Sequence, residues 1–380
     1  MNVSKCFATG ADCWRGPSRR KFLSGLAALG AGALLPDGPS AAQQAANPRR
    51  IDVHHHFTPP AYLQFLAAHN QGGGGGRGAG RGGALGSAYP GWTLAEDLDD
   101  MDKSGTAVAI LSITTPGFWF GEVNEVRKVA RECNDYAAKL RSDHTGRFGI
   151  FASIPITDTQ GALREAEYAL DTLKADGIGL YSNYGDIWLG DARLAPVYEE
   201  LNRRKAVVYV HPIEGNCCRN IVKDVQDTVV EYGADTTRTI ASLIFSGTTT
   251  RYPDITWIFS HGGGMMPFVI ERFVSGTETE VVPGIVTKGQ GNIPPKNVPK
   301  GVLYELRKMY YDTAQATNPV AMGALRKVVP VSQIVYGTDY WYRSAAETAK
   351  GLTTDKVFTD EELRAINRGN AMRILPRYRT

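Results

Sequence analysis

The feature that most constrains this chain is an alternation that begins near residue 51 and continues to the C-terminus. Eight short apolar or β-branched runs, at residues 51–57, 108–114, 148–155, 177–183, 206–212, 255–262, 309–314 and 333–340, are separated by helical patterns. Such patterns occur at 122–141, 160–175, 196–204, 235–245 and 319–328, where apolar residues recur at helical spacing. The run around Val207-Val208-Tyr209 is apolar on both faces, which suits a strand buried in a parallel sheet. Eight parallel strands, each followed by a helix, close naturally into an α/β, (β/α)8 TIM-like barrel; an open doubly wound sheet is the alternative. A last helix at 360–375 is expected to pack on the outside.

The 380-residue length is in the range of one large barrel domain, and the composition, 43% hydrophobic and 21% charged, is that of a globular protein. Residues 1–42 differ. Ser18-Arg19-Arg20-Lys21-Phe22-Leu23 leads into a short Gly/Ala-rich apolar run and then Ser40-Ala41-Ala42, a pattern similar to a twin-arginine export signal with a cleavage site. The expectation is a leader at 1–42, a single barrel domain at 43–380, and a periplasmic or secreted location with no stable membrane insertion once the leader is removed. Before Gln43 stand five basic and two acidic residues, which account for the whole formal charge of +3. A neutral mature chain implies no nucleic-acid partner. Cys133, Cys217 and Cys218 remain after the leader and lack the spacing of a zinc knuckle or a disulfide framework. The adjacent pair reads as loop residues. Residues 71–86, with five consecutive glycines, cannot bury enough apolar surface to offset their chain entropy and read as a mobile insertion.

The chemistry gathers at strand ends. The first run ends in His54-His55-His56; alternation along a strand sends His54 and His56 to one side and His55 to the other. The fifth ends in His211-Pro212, the sixth in Ser260-His261 followed by Gly262-Gly263-Gly264, and the eighth in Gly337-Thr338-Asp339. In a (β/α)8 barrel the C-terminal strand ends converge on one mouth. Three imidazoles and one carboxylate, His54, His56, His211 and Asp339, suit one divalent ion with a position left open, Zn2+ first, with Mn2+ or Fe2+ as alternatives. His261 is then an acid/base residue beside the centre, or a further ligand. The glycines after it would let backbone turn tightly.

These motifs, with the closing Gly369-Asn370-Ala371, resemble the amidohydrolase-related family, and within it the branch typified by aminocarboxymuconate semialdehyde decarboxylase and the resorcylate decarboxylases. The resemblance runs from Ile51 to the C-terminus and implies a distorted (β/α)8 barrel. The fourth strand lacks the lysine that binuclear members carbamylate, so the resemblance implies one metal ion. It also places Arg272 where family decarboxylases clamp a substrate carboxylate, often across a dimer interface, and so implies a homodimer. A second arginine of the semialdehyde decarboxylases has no clear counterpart among residues 85–92. Phe118 and Trp119, after the second strand, are candidates for an apolar wall against a substrate ring. The expected activity is non-oxidative decarboxylation of a small aromatic or unsaturated carboxylic acid, with His261 or Asp339 managing the proton. The alternative is hydrolysis of a lactone, ester or amide by a metal-activated water.

Overall fold

The computed structural model describes residues 49–69, 92–274, 295–354 and 356–379, all within one compact unit, Pro48–Thr380. The export leader expected at 1–42 and the Gly-rich insertion at 71–86 lie outside the described residues. Among those described, no helix is long and apolar enough to cross a membrane.

The eight sequence runs form the eight strands of one parallel sheet. These are β1 (Arg50–Phe57), β2 (Thr106–Ile113), β3 (Phe148–Ser153), β4 (Gly177–Tyr181), β5 (Val207–His211), β6 (Thr256–Phe259), β7 (Tyr310–Asp312) and β8 (Ile334–Val335). Each pairs with its sequence neighbour, the order expected when every crossover is a helix or loop on the outside. Backbone bonds between the continuation of β8 and β1 close the ring: Val53 N to Tyr336 O (3.0 Å), Asp339 N to His54 O (2.9 Å) and His56 N to Tyr340 O (3.1 Å). Closure therefore runs through the two segments that carry the candidate ligands, locking Asp339 in register with His54.

Ile51, Val53, Ile110, Phe151, Tyr209 and Ile258 form an apolar cluster of strand residues, each fully or almost fully buried. Burying one such aliphatic or aromatic side chain contributes about 1.5–3 kcal/mol. The C-terminal segment joins the same cluster through Ala371, Leu375 and Tyr378, so it does more than cover the outside of the barrel as its amphipathic pattern suggested. Asn370 anchors it, donating from Nδ2 to the carbonyls of Val331 (2.8 Å) and Ile334 (2.7 Å). The Gly369-Asn370-Ala371 motif thus ties the chain's end to β8.

Around the sheet lie α1 (Pro60–Ala68), α2 (Leu94–Ser104), α3 (Val123–Asp143), α4 (Thr159–Glu167), α5 (Ala195–Arg203), α6 (Asp227–Phe245) and α7 (Pro319–Val328). α2 starts where the Thr93 hydroxyl accepts from Glu96 N and stops at Gly105, whose φ of 71° is easy only for glycine. Two expectations are corrected. α6 begins at Asp227, eight residues before the apolar pattern that announced it, because its first turns carry exposed valines and no core-facing stripe. Cys217 and Cys218, read from sequence as unpaired loop residues, are joined by a disulfide in the loop after β5; adjacency in sequence did not prevent the bond.

Candidate metal centre and active site

Four strand ends deliver five side chains to one point. One donor atom from each of His54, His211, His261 and Asp339 lies within 4.8 Å of the others, and all but His261 are buried. His56 completes the group: its Nε2 is 3.1 Å from Nε2 of His54 and 3.1 Å from Oδ1 of Asp339, and its ring centroid is 4.7 Å from that of His211. All the residues named from sequence as ligands, together with His261, are therefore in mutual reach.

The second nitrogen of each imidazole is occupied, which fixes the orientation of the first. His54 Nδ1 faces Asp312 Oδ2 at 2.7 Å, His56 Nδ1 faces Ser112 O at 3.3 Å, and His211 Nδ1 faces Pro212 O at 2.8 Å. Each ring is left with Nε2 toward the centre, the arrangement of an imidazole held for metal ligation. Asp339 Oδ1 lies 3.1 Å from Nε2 of both His54 and His56, yet it is buried and accepts no hydrogen bond. A buried anionic oxygen 3.1 Å from two imidazole nitrogens is what a divalent cation satisfies once it displaces any proton there, so the residues present fit one metal ion.

Electrostatics agree with that fit. Burial pushes the His56 pKa down, and burial with the neighbouring His56 and His54 holds His211 well below the ordinary imidazole range. Both are neutral and ready to coordinate. At His54 burial acts downward, but the carboxylates of Asp312 and Asp339 reverse it and raise the pKa to about 10. A cation at Nε2 competes with that proton, so binding releases it. Burial acts upward on Asp339, and His54, His261 and His56 outweigh it, keeping the carboxyl well below the usual range.

His261 is on the open side, its side chain 13% exposed, with Nε2 3.2 Å from Asp339 Oδ2. Gln315 also donates from Nε2 to Asp339 Oδ2. His261, Gln315 and Asp339 all have positive φ, at 54°, 49° and 64°. Three neighbouring non-glycine residues in the left-handed region indicate backbone bent to place side chains, at a cost of order 1–3 kcal/mol each. The glycines after His261 make the bend feasible: a Cβ on Gly264 (φ 65°) would lie 2.3 Å from Gly233 O.

His55 turns away into the helical layer. Its ring lies between Asp52 Oδ2 (3.0 Å) and Asp97 Oδ1 on α2 (2.8 Å) and stacks on Tyr340 with centroids 4.6 Å apart. Burial lowers its pKa, and Asp97 and Asp52 more than restore it, to about 10. His55 is thus a buried cation between two carboxylates, one of which also holds the Asp339 loop.

Above the centre is a pocket whose lining includes Phe118, Trp119, Ile154, Tyr181, Tyr184 and His211. Phe118 and Trp119, the candidates for an apolar wall, are among its lining residues. Arg272 does not line it; it is exposed on the short helix Ile270–Val274. Sequence reasoning passed over Asp312. The signal was present, since Asp312 ends β7 as Asp339 follows β8, but only the fold shows its Oδ2 on His54 and its Oδ1 on the backbone N–H of His261 (2.8 Å).

A closed eight-stranded barrel with a His/Asp cluster at the C-terminal strand ends defines a metal-dependent barrel of the hydrolase type. The chain belongs to the amidohydrolase family, whose model matches residues 51–377. It is 36% identical to the decarboxylase yanB of Aspergillus niger over 87% of this chain and 88% of that protein. With the 6-methylsalicylic acid decarboxylase of Penicillium expansum it shares 34% identity, over 77% of this chain and 84% of the relative. The fold is also that of a dihydroxybenzoic acid decarboxylase from Polaromonas, solved with bound manganese and an inhibitor; the TM-score is 0.71 at 18% identity, covering 87% of this chain and 98% of that one.

Proposed function

We propose that this protein is a metal-dependent, non-oxidative decarboxylase of a small aromatic carboxylic acid, a carbon–carbon lyase. The observation that carries the reading is the buried, hydrogen-bond-free Asp339 Oδ1 between the Nε2 atoms of His54 and His56, beside a pocket lined by aromatic side chains. The similarity to decarboxylases along almost the full length supports lyase over hydrolase chemistry.

His54, His56, His211 and Asp339 would hold one divalent ion, zinc by the donor set or manganese as in the Polaromonas protein, which would polarise an oxygen of the substrate. The aromatic wall holds the ring and excludes water. His261 and Asp339, 3.2 Å apart, hold the proton between them and deliver it to the ring carbon that bears the carboxylate. The carbon–carbon bond then breaks, its electron pair returns to the ring, and carbon dioxide leaves, with a C–H bond where the carboxylate was. Incubating metal-loaded protein with aromatic and unsaturated carboxylic acids in D2O is expected to release carbon dioxide and give a product with one deuterium at the vacated carbon. No carbon dioxide from any acid would overturn the reading, and solvent 18O in the product would favour the hydrolase.

The export leader and the homodimer belong to the same proposal. Exposed Met265 and Phe268 precede Arg272 by a few residues in the chain and suit a second copy of this chain, which would bring Arg272 to the partner's pocket as its carboxylate clamp. Sedimentation is expected to show a dimer that Phe268→Glu dissociates, and cell fractionation to find the chain, shortened at its N-terminus, in the periplasm. A monomeric wild type, or full-length cytosolic protein, would remove the respective part.

A further inference from the structure

The outer nitrogens of the ligand histidines are held in different ways. His54 Nδ1 faces a carboxylate directly, whereas His211 Nδ1 faces the carbonyl of the next residue, Pro212, at 2.8 Å. A carbonyl oxygen only accepts, so in His211 Nδ1 carries the proton and Nε2 the lone pair. That carbonyl belongs to a peptide group whose other end is also engaged: Ile213 N–H donates to Ser182 Oγ (3.0 Å). The Ser182 hydroxyl in turn donates to Asp235 Oδ2 (2.5 Å) on α6. Ser182 Oγ also lies 3.2 Å from Ile213 O, but a hydroxyl has one proton and the carboxylate is the nearer and stronger acceptor. Asn183 Nδ2 serves Ile213 O instead, at 2.7 Å. An unbroken chain thus runs from the imidazole through one peptide group and one hydroxyl to a carboxylate.

Asp235 is not among the residues that meet at the centre, yet it is fully buried, as is Ser182. Besides Ser182, its carboxylate accepts from Asn183 Nδ2 (2.6 Å, at Oδ2) and Trp188 Nε1 (3.1 Å, at Oδ1), and Arg238 Nη1 is 3.4 Å from Oδ1. Burying a carboxylate costs several kcal/mol unless such donors compensate. Ser182, Asn183 and Trp188 follow β4 and Ile213 follows β5, so one acidic side chain gathers two strand ends. Hydrogen bonds in a chain polarise one another: each group that donates to a stronger acceptor becomes a better acceptor for the next. Here the sense runs from the carboxylate toward His211, fixing the ring and raising the basicity of its inner nitrogen. At His54, Asp312 does the same in one step.

Resting on the metal centre of the proposed function, we propose that Asp235 is a positioning residue for the ligand His211: through Ser182 and the Pro212–Ile213 peptide it holds the imidazole with Nε2 toward the centre and strengthens it as a donor to the metal ion.

Metal affinity tests this without requiring turnover. The full-length chain, stripped of metal, is titrated with Zn2+ and separately with Mn2+, in competition with a chelator of known affinity. Asp235→Asn and Ser182→Ala are each expected to weaken binding about 10–100-fold, the usual loss when the partner of a ligand histidine is removed. Ser182→Ala leaves Asp235 its bonds from Asn183 and Trp188, so it carries the test where Asp235→Asn does not fold. Both substitutions cut the same chain, so the double variant is expected within about twofold of the weaker single. Trp188→Phe removes a different donor to Asp235 and leaves the chain intact; it reports on bracing of the loops alone, and its affinity is expected within about twofold of wild type. Wild-type affinity in Asp235→Asn or Ser182→Ala, losses that add in full in the double variant, or a loss in Trp188→Phe as large as in Ser182→Ala would overturn the proposal. A wild type that binds neither ion would overturn the metal centre itself, and the proposal with it.

Discussion

Asp339→Asn is expected to lower kcat by about two to four orders of magnitude, the range associated with loss of a positioned acid/base group. The amide keeps the shape, so the Gln315 contact and the backbone bond from Asp339 N to His54 O can persist. What disappears is the negative charge whose unsatisfied Oδ1 faces Nε2 of His54 and His56. Carbon dioxide release measured together with metal content by mass spectrometry divides the effect. Loss of turnover with metal retained assigns Asp339 to proton transfer, and loss of both assigns it to ligation. Turnover within tenfold of wild type would show that the carboxylate does neither.

Asp52→Asn is expected to destabilise the fold by about 3–5 kcal/mol, the cost of removing one partner from a buried ion pair. Asp52 Oδ1 accepts from the backbone N–H groups of His54 (3.0 Å) and Thr338 (3.1 Å), and Oδ2 from the Thr338 hydroxyl (2.6 Å) and faces His55 Nδ1 (3.0 Å). Asparagine can keep the first two bonds, but its NH2 then faces the His55 ring nitrogen in place of a carboxylate oxygen, and the Thr338 hydroxyl loses its 2.6 Å acceptor. Because Thr338 precedes Asp339, the damage should spread to the centre and lower metal occupancy. Chemical denaturation at several pH values gives a second reading. With the folded pKa of His55 raised to about 10 above an unfolded value near 6.5, its contribution is fully present below the unfolded value and is lost as pH rises through about 10. In Asp52→Asn that alkaline decline should be shallower. An unchanged stability at neutral pH would show that Asp97 alone satisfies His55.

Much of the barrel was legible because it is written in a local code. Period-2 and period-3.6 apolar patterns reveal strands and helices, and the parallel order follows from their alternation. The ends of β1, β5 and β6 and the segment after β8 announced the centre because histidine and aspartate are costly to bury and rarely fall at several strand ends without a reason. The alternation argument also separated His55 from His54 and His56, and the structure places His55 against Asp97. Local code failed where the partner is distant in sequence. Asp312 meets His54 across 258 positions, and Thr338 meets Asp52 across 286. It failed too at the start of α6, where exposed valines hide the helical stripe, and at Cys217–Cys218, where the bond depends on loop geometry.

The sequence by itself therefore determined the barrel, the family and five of the side chains that meet at its mouth, because propensity and strand-end chemistry act over a few residues. Only the tertiary structure decided which nitrogen of each histidine faces the centre and that Asp312 sets His54. Those properties depend on distances between residues far apart in the chain. Closing the ring between β8 and β1 is what brings the histidines and Asp339 within reach of one another.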